Sequence, residues 1–285
     1  MFWIKPTASY IQLVSWIPCK KFDRLRYAPN MDPYDQIKIA GGDTAQPIAM
    51  EKRLSIIRRI AKKKGARFLD CGCGAGEYVF TLTKYNGFDA FGLEFDEAKV
   101  RKAQTHPHYG ARVRQGDLQQ MPFPDGNFDY ALLNEVLEHV PDESRALKEI
   151  FRVLAPGGLL FVFSPNRWFP FETHGICWKN GGKKIPHWVP FIPYIPLRLG
   201  SKFFSYWARN YWPSEISTLL RGAGFVVIHS NFIWLTFENI SNGQPKIVGF
   251  LRPLLRFIAN FCENVPLVRR LGVSSVFVAL KPANL

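Results

Sequence analysis

Phe68-Leu69-Asp70-Cys71-Gly72-Cys73-Gly74-Ala75-Gly76-Glu77 is the stretch whose reading decides the fold. An apolar strand end finishes on an acid, three glycines alternate with small residues, and a helix is expected to start near Glu77. Glycines at a strand-to-helix turn let the backbone come close to a ligand with no Cβ in the way. A dinucleotide fingerprint would be spaced GxGxxG, with the helix N-terminus free for pyrophosphate. Here the spacing is GxGxG and an acid precedes it, a poor neighbour for phosphate. The loop suits a ligand that carries a positive amino group and no phosphate. Cys71 and Cys73 read as small loop residues. No other Cys or His pair gives them metal-site spacing, no metal is expected, and a disulfide within this loop would be strained.

Working outward, short apolar runs alternate with helical patterns. Phe68-Leu69, Ala90 to Leu93, Val113, Phe128 to Leu133 and Leu159 to Phe163 read as buried strands. Leu147, Ile150, Phe151 and Leu154 recur at helical spacing before Pro156-Gly157-Gly158. Such alternation builds a parallel sheet covered on both faces. Two further acids fall at strand ends. Glu94, 24 residues after Asp70, is placed to accept both hydroxyls of a ribose, and Asp117 in Gly116-Asp117-Leu118 to accept from an adenine amine. Met121-Pro122-Phe123-Pro124-Asp125-Gly126 then turns into the fourth strand. Asn134-Glu135-Val136-Leu137-Glu138-His139-Val140 follows, where Glu135 and Glu138 are open equally to a place in the motif's site and to capping or solvating the next helix.

LDCGCGAGEY, GLEFD, GDLQQMPFPDGNFDYALLNEVLEHV and LAPGGLLFVFSPN together resemble the successive motifs of class I S-adenosylmethionine-dependent methyltransferases. The resemblance is to the type 11 subgroup, which includes ubiquinone/menaquinone methyltransferases. It is specific over about residues 65–165 and looser over 213–230 and 275–281. It implies an α/β, Rossmann-like, seven-stranded and mostly parallel sheet whose last strand is antiparallel, with S-adenosylmethionine as cofactor. Carried over to this chain, the cofactor-binding residues would be Asp70, Gly72, Cys73, Gly74, Gly76, Glu94, Phe95, Asp117, Leu118 and Asn134. Asp70 would lie near the amino group, Glu94 would hold the ribose, Asp117 with Leu118 the adenine, and Asn134 the methionine side.

The flanks carry different information. The net charge is +14, yet residues 65–164 hold 10 Lys/Arg against 14 Asp/Glu, so the basic excess lies outside them. Residues 1–64 are expected to form a basic extension ending in an amphipathic helix, Glu51 to Lys64, and 65–285 the methyltransferase domain. Within it, 165–212 reads as an aromatic-rich insertion after strand five, without helical or strand period, on the substrate side of the sheet's carboxyl edge. Ser214 is expected to cap a helix before the strand Phe225 to Ile228, and Val276 to Leu280 is expected to be the final strand. Residues 235–273 read as a basic, apolar helical insertion between strands six and seven, with its helix interrupted near Pro253.

The cofactor's methyl is electrophilic, so the chain must mainly align a nucleophile and exclude water. An alcohol acceptor would also need a base. Catalytic candidates are His139, Glu172 and His174, with a structural role the alternative for His139 and substrate contact the alternative for the other two. Aromatics interleaved with cations in the insertion suit an interfacial surface, and point to a lipid-like or lipid-linked small-molecule acceptor and an anionic membrane surface as partners. A soluble sugar or glycan acceptor is the alternative. Nucleic acid would suit basic flanks too, but LLNEVLEHV lacks the Asn/Asp-Pro-Pro-aromatic motif of base amino-methylating enzymes. A cofactor-binding scaffold is the non-enzymatic reading. Few, scattered cysteines, no basic-then-apolar leader and no apolar run of about 18 residues point to a cytoplasmic protein, peripheral on the membrane in the lipid reading.

Overall fold

The computed structural model describes residues 48–237 and 246–283, with the side chains of 246–250 and 252 left aside. The N-terminal stretch 1–47, including the expected absence of a leader, lies outside the described residues. The described chain falls into two compact units: one holds residues 48–169 and 210–283, the other the insertion residues 170–209.

The larger unit is built on a seven-stranded sheet. Its strands are β1 (Arg67–Cys71), β2 (Asp89–Glu94), β3 (Val113–Gln115), β4 (Phe128–Asn134), β5 (Leu154–Pro165), β8 (Val226–Ile233) and β9 (Ser274–Leu280), in spatial order β3-β2-β1-β4-β5-β9-β8. β9 runs antiparallel to both β5 and β8, and the pairs on the other side are parallel. The strand order reverses between β1 and β4. In open α/β sheets that reversal is where ligands bind, at the carboxyl ends of the strands.

Residue alternation along the strands explains the two layers. Phe68, Leu132, Phe161, Phe163, Val276 and Val278 pack on one face with α1 (Ile48–Ile60), α2 (Glu77–Asn86) and α3 (Glu97–Gln104). Leu69, Cys71, Leu133, Leu160, Val162 and Phe277 pack on the other, with α4 (Glu143–Val153) and α6 (Pro213–Gly222). Successive side chains of a strand point to opposite faces, so a fully buried parallel strand reads as a continuous apolar run. Asp70 follows the same register, on the face that α1 and α2 cover.

Several boundaries differ from expectation. α1 ends at Ile60 rather than Lys64, because its apolar stripe Leu54, Ile57 and Ile60 runs out there. The cap of α6 is Trp212, not Ser214: Pro213 takes the first helical position, and the Glu215 carboxylate accepts from Trp212 N–H at 2.8 Å. α7 (Lys246–Asn264) continues through Pro253 rather than breaking at it.

The insertion unit also holds regular structure where none was read. β6 (Ile176–Trp178) pairs antiparallel with β7 (Phe204–Tyr206), preceded by the short α5 (Leu197–Phe203). Its own small core is Ile176, Ile185 and Ile192. Within the larger unit, the chain leaves and re-enters beside a fixed joint: Arg167 N–H donates to Tyr211 O at 2.9 Å, and Tyr211 N–H to Pro165 O at 3.2 Å. The fully buried Tyr211 donates its hydroxyl to Leu137 O at 3.1 Å.

Candidate active site

The glycine loop lies between the carboxyl ends of β1 and β4. Gly72 has φ +79, and a Cβ there would stand 2.6 Å from Val136 Cγ2, so only glycine lets the loop pass beneath the segment after β4. At Gly74, φ +57, a Cβ would meet nothing within 4 Å. The loop is close-packed below and open above. Gly72 and Cys73 both donate backbone N–H groups to Leu93 O, at 2.7 and 3.0 Å, which ties the loop to β2. Gly76, φ +87, caps α2. Cys71 and Cys73 are buried free thiols whose acidity burial suppresses. That agrees with a packing role.

Each acid read from the sequence sits at a strand end, and each is held differently. Asp70 is buried and its Oδ2 has no hydrogen-bond partner among the described residues. Burial, followed by the charges of Glu94 and Glu77, pushes its carboxyl up to about 8. Asn134 Oδ1, at the end of β4, is likewise buried without a partner among the described residues. Glu94 bridges the loop: Oε2 accepts from Gly74 N–H at 2.8 Å and Oε1 from Asp96 N–H at 3.0 Å. Asp117 lines an open groove of about 680 Å³ with Gly116, Gln115, Phe95, Asp96 and Glu97. Leu118 is buried beside it, while the Phe95 ring is 74% exposed.

Several features of the site were missed. Gln119 donates its side-chain amide to both Asp117 oxygens, at 3.2 and 3.1 Å, and its backbone N–H to Oδ1 at 2.8 Å. Glu135 does not cap or solvate the next helix: it is held at φ +55 and pairs with Arg53 of α1 at 2.8 Å. Ser274 Oγ, at the start of β9, donates to the same Glu135 oxygen at 2.5 Å. Glu138 is buried rather than solvated. Beside the Arg53–Glu135 pair stands Tyr78 from the first turn of α2, its phenol pushed up to about 12 by burial. Arg53 was one of several basic residues in α1, and only its place four before Ile57, on the inward face, sets it apart.

The catalytic candidates are divided between the two units. His139 is exposed in the single turn Leu137–His139 after β4. Glu172 and His174 belong to the insertion unit. There the buried Glu172 carboxylate accepts from the backbone N–H groups of Thr173 and His174, both at 3.0 Å, and His174 Nδ1 lies 3.1 Å from Thr173 Oγ1. Glu172 thus shapes its own turn.

Comparison with known proteins bears on the family and the fold. Residues 69–162 match the family described as methyltransferase domain. Demethylmenaquinone methyltransferase of Staphylococcus aureus is 32% identical over 152 residues, 52% of this chain and 57% of that protein. The chain therefore spans about half the length of the curated relatives it matches. Among solved structures, a SAM-dependent methyltransferase from Methanosarcina mazei superposes with a TM-score of 0.52 at 20% identity, covering 80% of this chain and 97% of that one. The [4+2]-cyclase SpnF superposes with a TM-score of 0.52 at 21% identity, covering 83% and 82%. Such likeness fixes the fold, and a fold alone hosts more than one chemistry. Motifs, sheet order and family match converge on one assignment: residues 69–162 of this chain are a methyltransferase domain of the class I S-adenosylmethionine-dependent family.

Proposed function

We propose that the chain transfers the methyl group of S-adenosylmethionine to a lipid-like, membrane-associated small molecule of the quinone or prenyl kind. The observation that carries the cofactor reading is Asp70: a buried carboxylate oxygen without a partner among the described residues, beside a loop that is open above Gly74. A buried ionisable group left so is costly unless a ligand completes it. A primary ammonium would complete it, and the partnerless Asn134 oxygen could accept from the same end of the ligand. Glu94 retains lone pairs for two ribose hydroxyls while its loop contacts persist. Asp117 would take the adenine amine once Gln119 turns away, with Leu118 below and Phe95 free to stack.

The bound cofactor supplies an electrophilic methyl on a sulfonium. The chain's part is to hold that end at the carboxyl edge of β1 and β4 and to keep water from it. His139, Glu172 and His174 remain the candidates for contact with the acceptor. The lipid-like acceptor is supported by the named activity of the Staphylococcus relative. Exposed Trp178, Trp188, Phe191 and Phe203 in the insertion unit support it as well.

Calorimetry with S-adenosylhomocysteine should show low-micromolar binding, about −8 kcal/mol. Glu94→Ala, with its fold checked by circular dichroism, should abolish it, and unchanged affinity would remove Glu94 from the site. Incubation with S-adenosylmethionine and a demethylated quinone, reduced to its quinol with dithionite in detergent micelles, should then give a product heavier by one methylene in mass spectrometry. Turnover of water-soluble sugars in place of the quinone would overturn the acceptor reading.

A further inference from the structure

Helix α7 carries a stripe of its described apolar side chains on the outside. At 100° per residue, Leu251, Leu254, Phe257, Ile258 and Phe261 fall in one stripe about 120° wide, and all five are exposed, Phe257 at 70% and Phe261 at 64%. The opposite face holds the helix to the protein through polar groups. Arg256 Nε donates to Thr236 O at 2.8 Å, and Glu263 Oε1 accepts from Lys52 Nζ at 2.6 Å and from Trp234 N–H at 2.8 Å. Ala259 is buried between them. A helix at a water-facing surface is ordinarily arranged the other way round, and a contiguous apolar surface left open marks a place of interaction.

The charge around the stripe says what would cover it. Residues 246–272 hold five basic residues and one acid, and that acid, Glu263, is paired with Lys52. Just beyond the helix, Leu267 and Leu271 are exposed, and so are Arg269 and Arg270 between them. Among the described residues no helix is long and apolar enough to cross a membrane. Two copies meeting through this face about a two-fold axis would bring their arginines together, which like-charge repulsion opposes.

We propose that the outer face of α7, continued by Leu267 and Leu271, docks on an anionic lipid bilayer. The helix lies in the plane of the interface, Phe257 and Phe261 enter the boundary between headgroups and acyl chains, and Arg269 and Arg270 meet the phosphates. This rests on the membrane-associated reading of the acceptor and names the surface that serves it.

The test is co-sedimentation of the full chain with phosphatidylcholine vesicles, with and without 30% phosphatidylglycerol, in 0.1 M salt. The wild type should bind the anionic vesicles, and F257E/F261E should partition at least about tenfold less while its affinity for S-adenosylhomocysteine stays unchanged. R269Q/R270Q should weaken binding and flatten its salt dependence. Wild type that ignores anionic vesicles, or F257E/F261E that binds them as the wild type does, overturns the proposal. A concentration-dependent dimer that F257E/F261E dissolves would overturn it in favour of a second copy. If the vesicles bind and no quinone is methylated, the surface stands and the acceptor reading fails.

Discussion

Asp70 concentrates the residue-scale physics of the site. Its carboxyl is raised to about 8, so across roughly pH 4 to 8 the folded chain holds a proton that the unfolded chain has already released. Stability without ligand should therefore fall as pH rises through that window. A bound ammonium reverses the balance by favouring the carboxylate. Affinity for S-adenosylhomocysteine should thus increase from pH 6 to about 8 with release of a proton, read by calorimetry in buffers of different ionisation enthalpy. Asp70→Asn should bind more weakly and lose that pH dependence. The strand-end placement of the three carboxylates was legible because the strands announce themselves as apolar runs. Gln119 was not legible, since its grip on Asp117 depends on the turn that follows β3 and on no feature of residue type. The ion pair of Glu135 was not legible either, because its left-handed backbone and a partner 82 residues away leave no local mark.

At the scale of elements, the turn that feeds β4 is tied down by one side chain. Arg152, in the last turn of α4, donates to Phe123 O at 2.8 Å and to Met121 O at 3.2 Å, and pairs with Asp125 and Glu149. Glu149 in turn accepts from Met121 N–H at 2.8 Å, and its hydrogen bond to Arg152 holds its carboxyl below the usual range. Arg152→Met keeps the stem and removes the fork, leaving two backbone carbonyls without a donor. Denaturant unfolding should show a loss of about 2 kcal/mol. Strands and the α4 stripe could be read because burial imposes their period. Helix ends were harder to place: Pro213 shifted a cap by two residues, and tertiary support carried α7 past Pro253. The insertion's β6–β7 pair is three residues long in each strand, too short to show a period.

At the scale of the whole molecule, similarity to other proteins covers one part and folding another. The family match begins at residue 69, while α1 supplies Met50, Leu54, Ile56 and Ile57 to the core beneath β1. The same helix sends Arg53 to Glu135 and Ser274, and Lys52 to Glu263 of α7. One amphipathic segment thus fastens three regions far apart in sequence. A fragment comprising residues 65–285 should lose its cooperative unfolding transition and aggregate, because it bares the apolar floor of the sheet and leaves Glu135 without its cation. A fragment starting at residue 48 should melt sharply in calorimetry, and equal behaviour of the two would show α1 to be dispensable.

The Lys52–Glu263 pair also makes α1 a mechanical link. The helix whose Arg53 pairs with Glu135 grips, one residue earlier, the helix whose other side faces outward. A tilt of α7 would pull on α1 and hence on Glu135, next to the strand-end Asn134. Loading the outer face of α7 should therefore reach the strand-end site through this link, and S-adenosylhomocysteine affinity measured with and without vesicles would show it. Occupancy of one should bias the other by equal amounts in both directions.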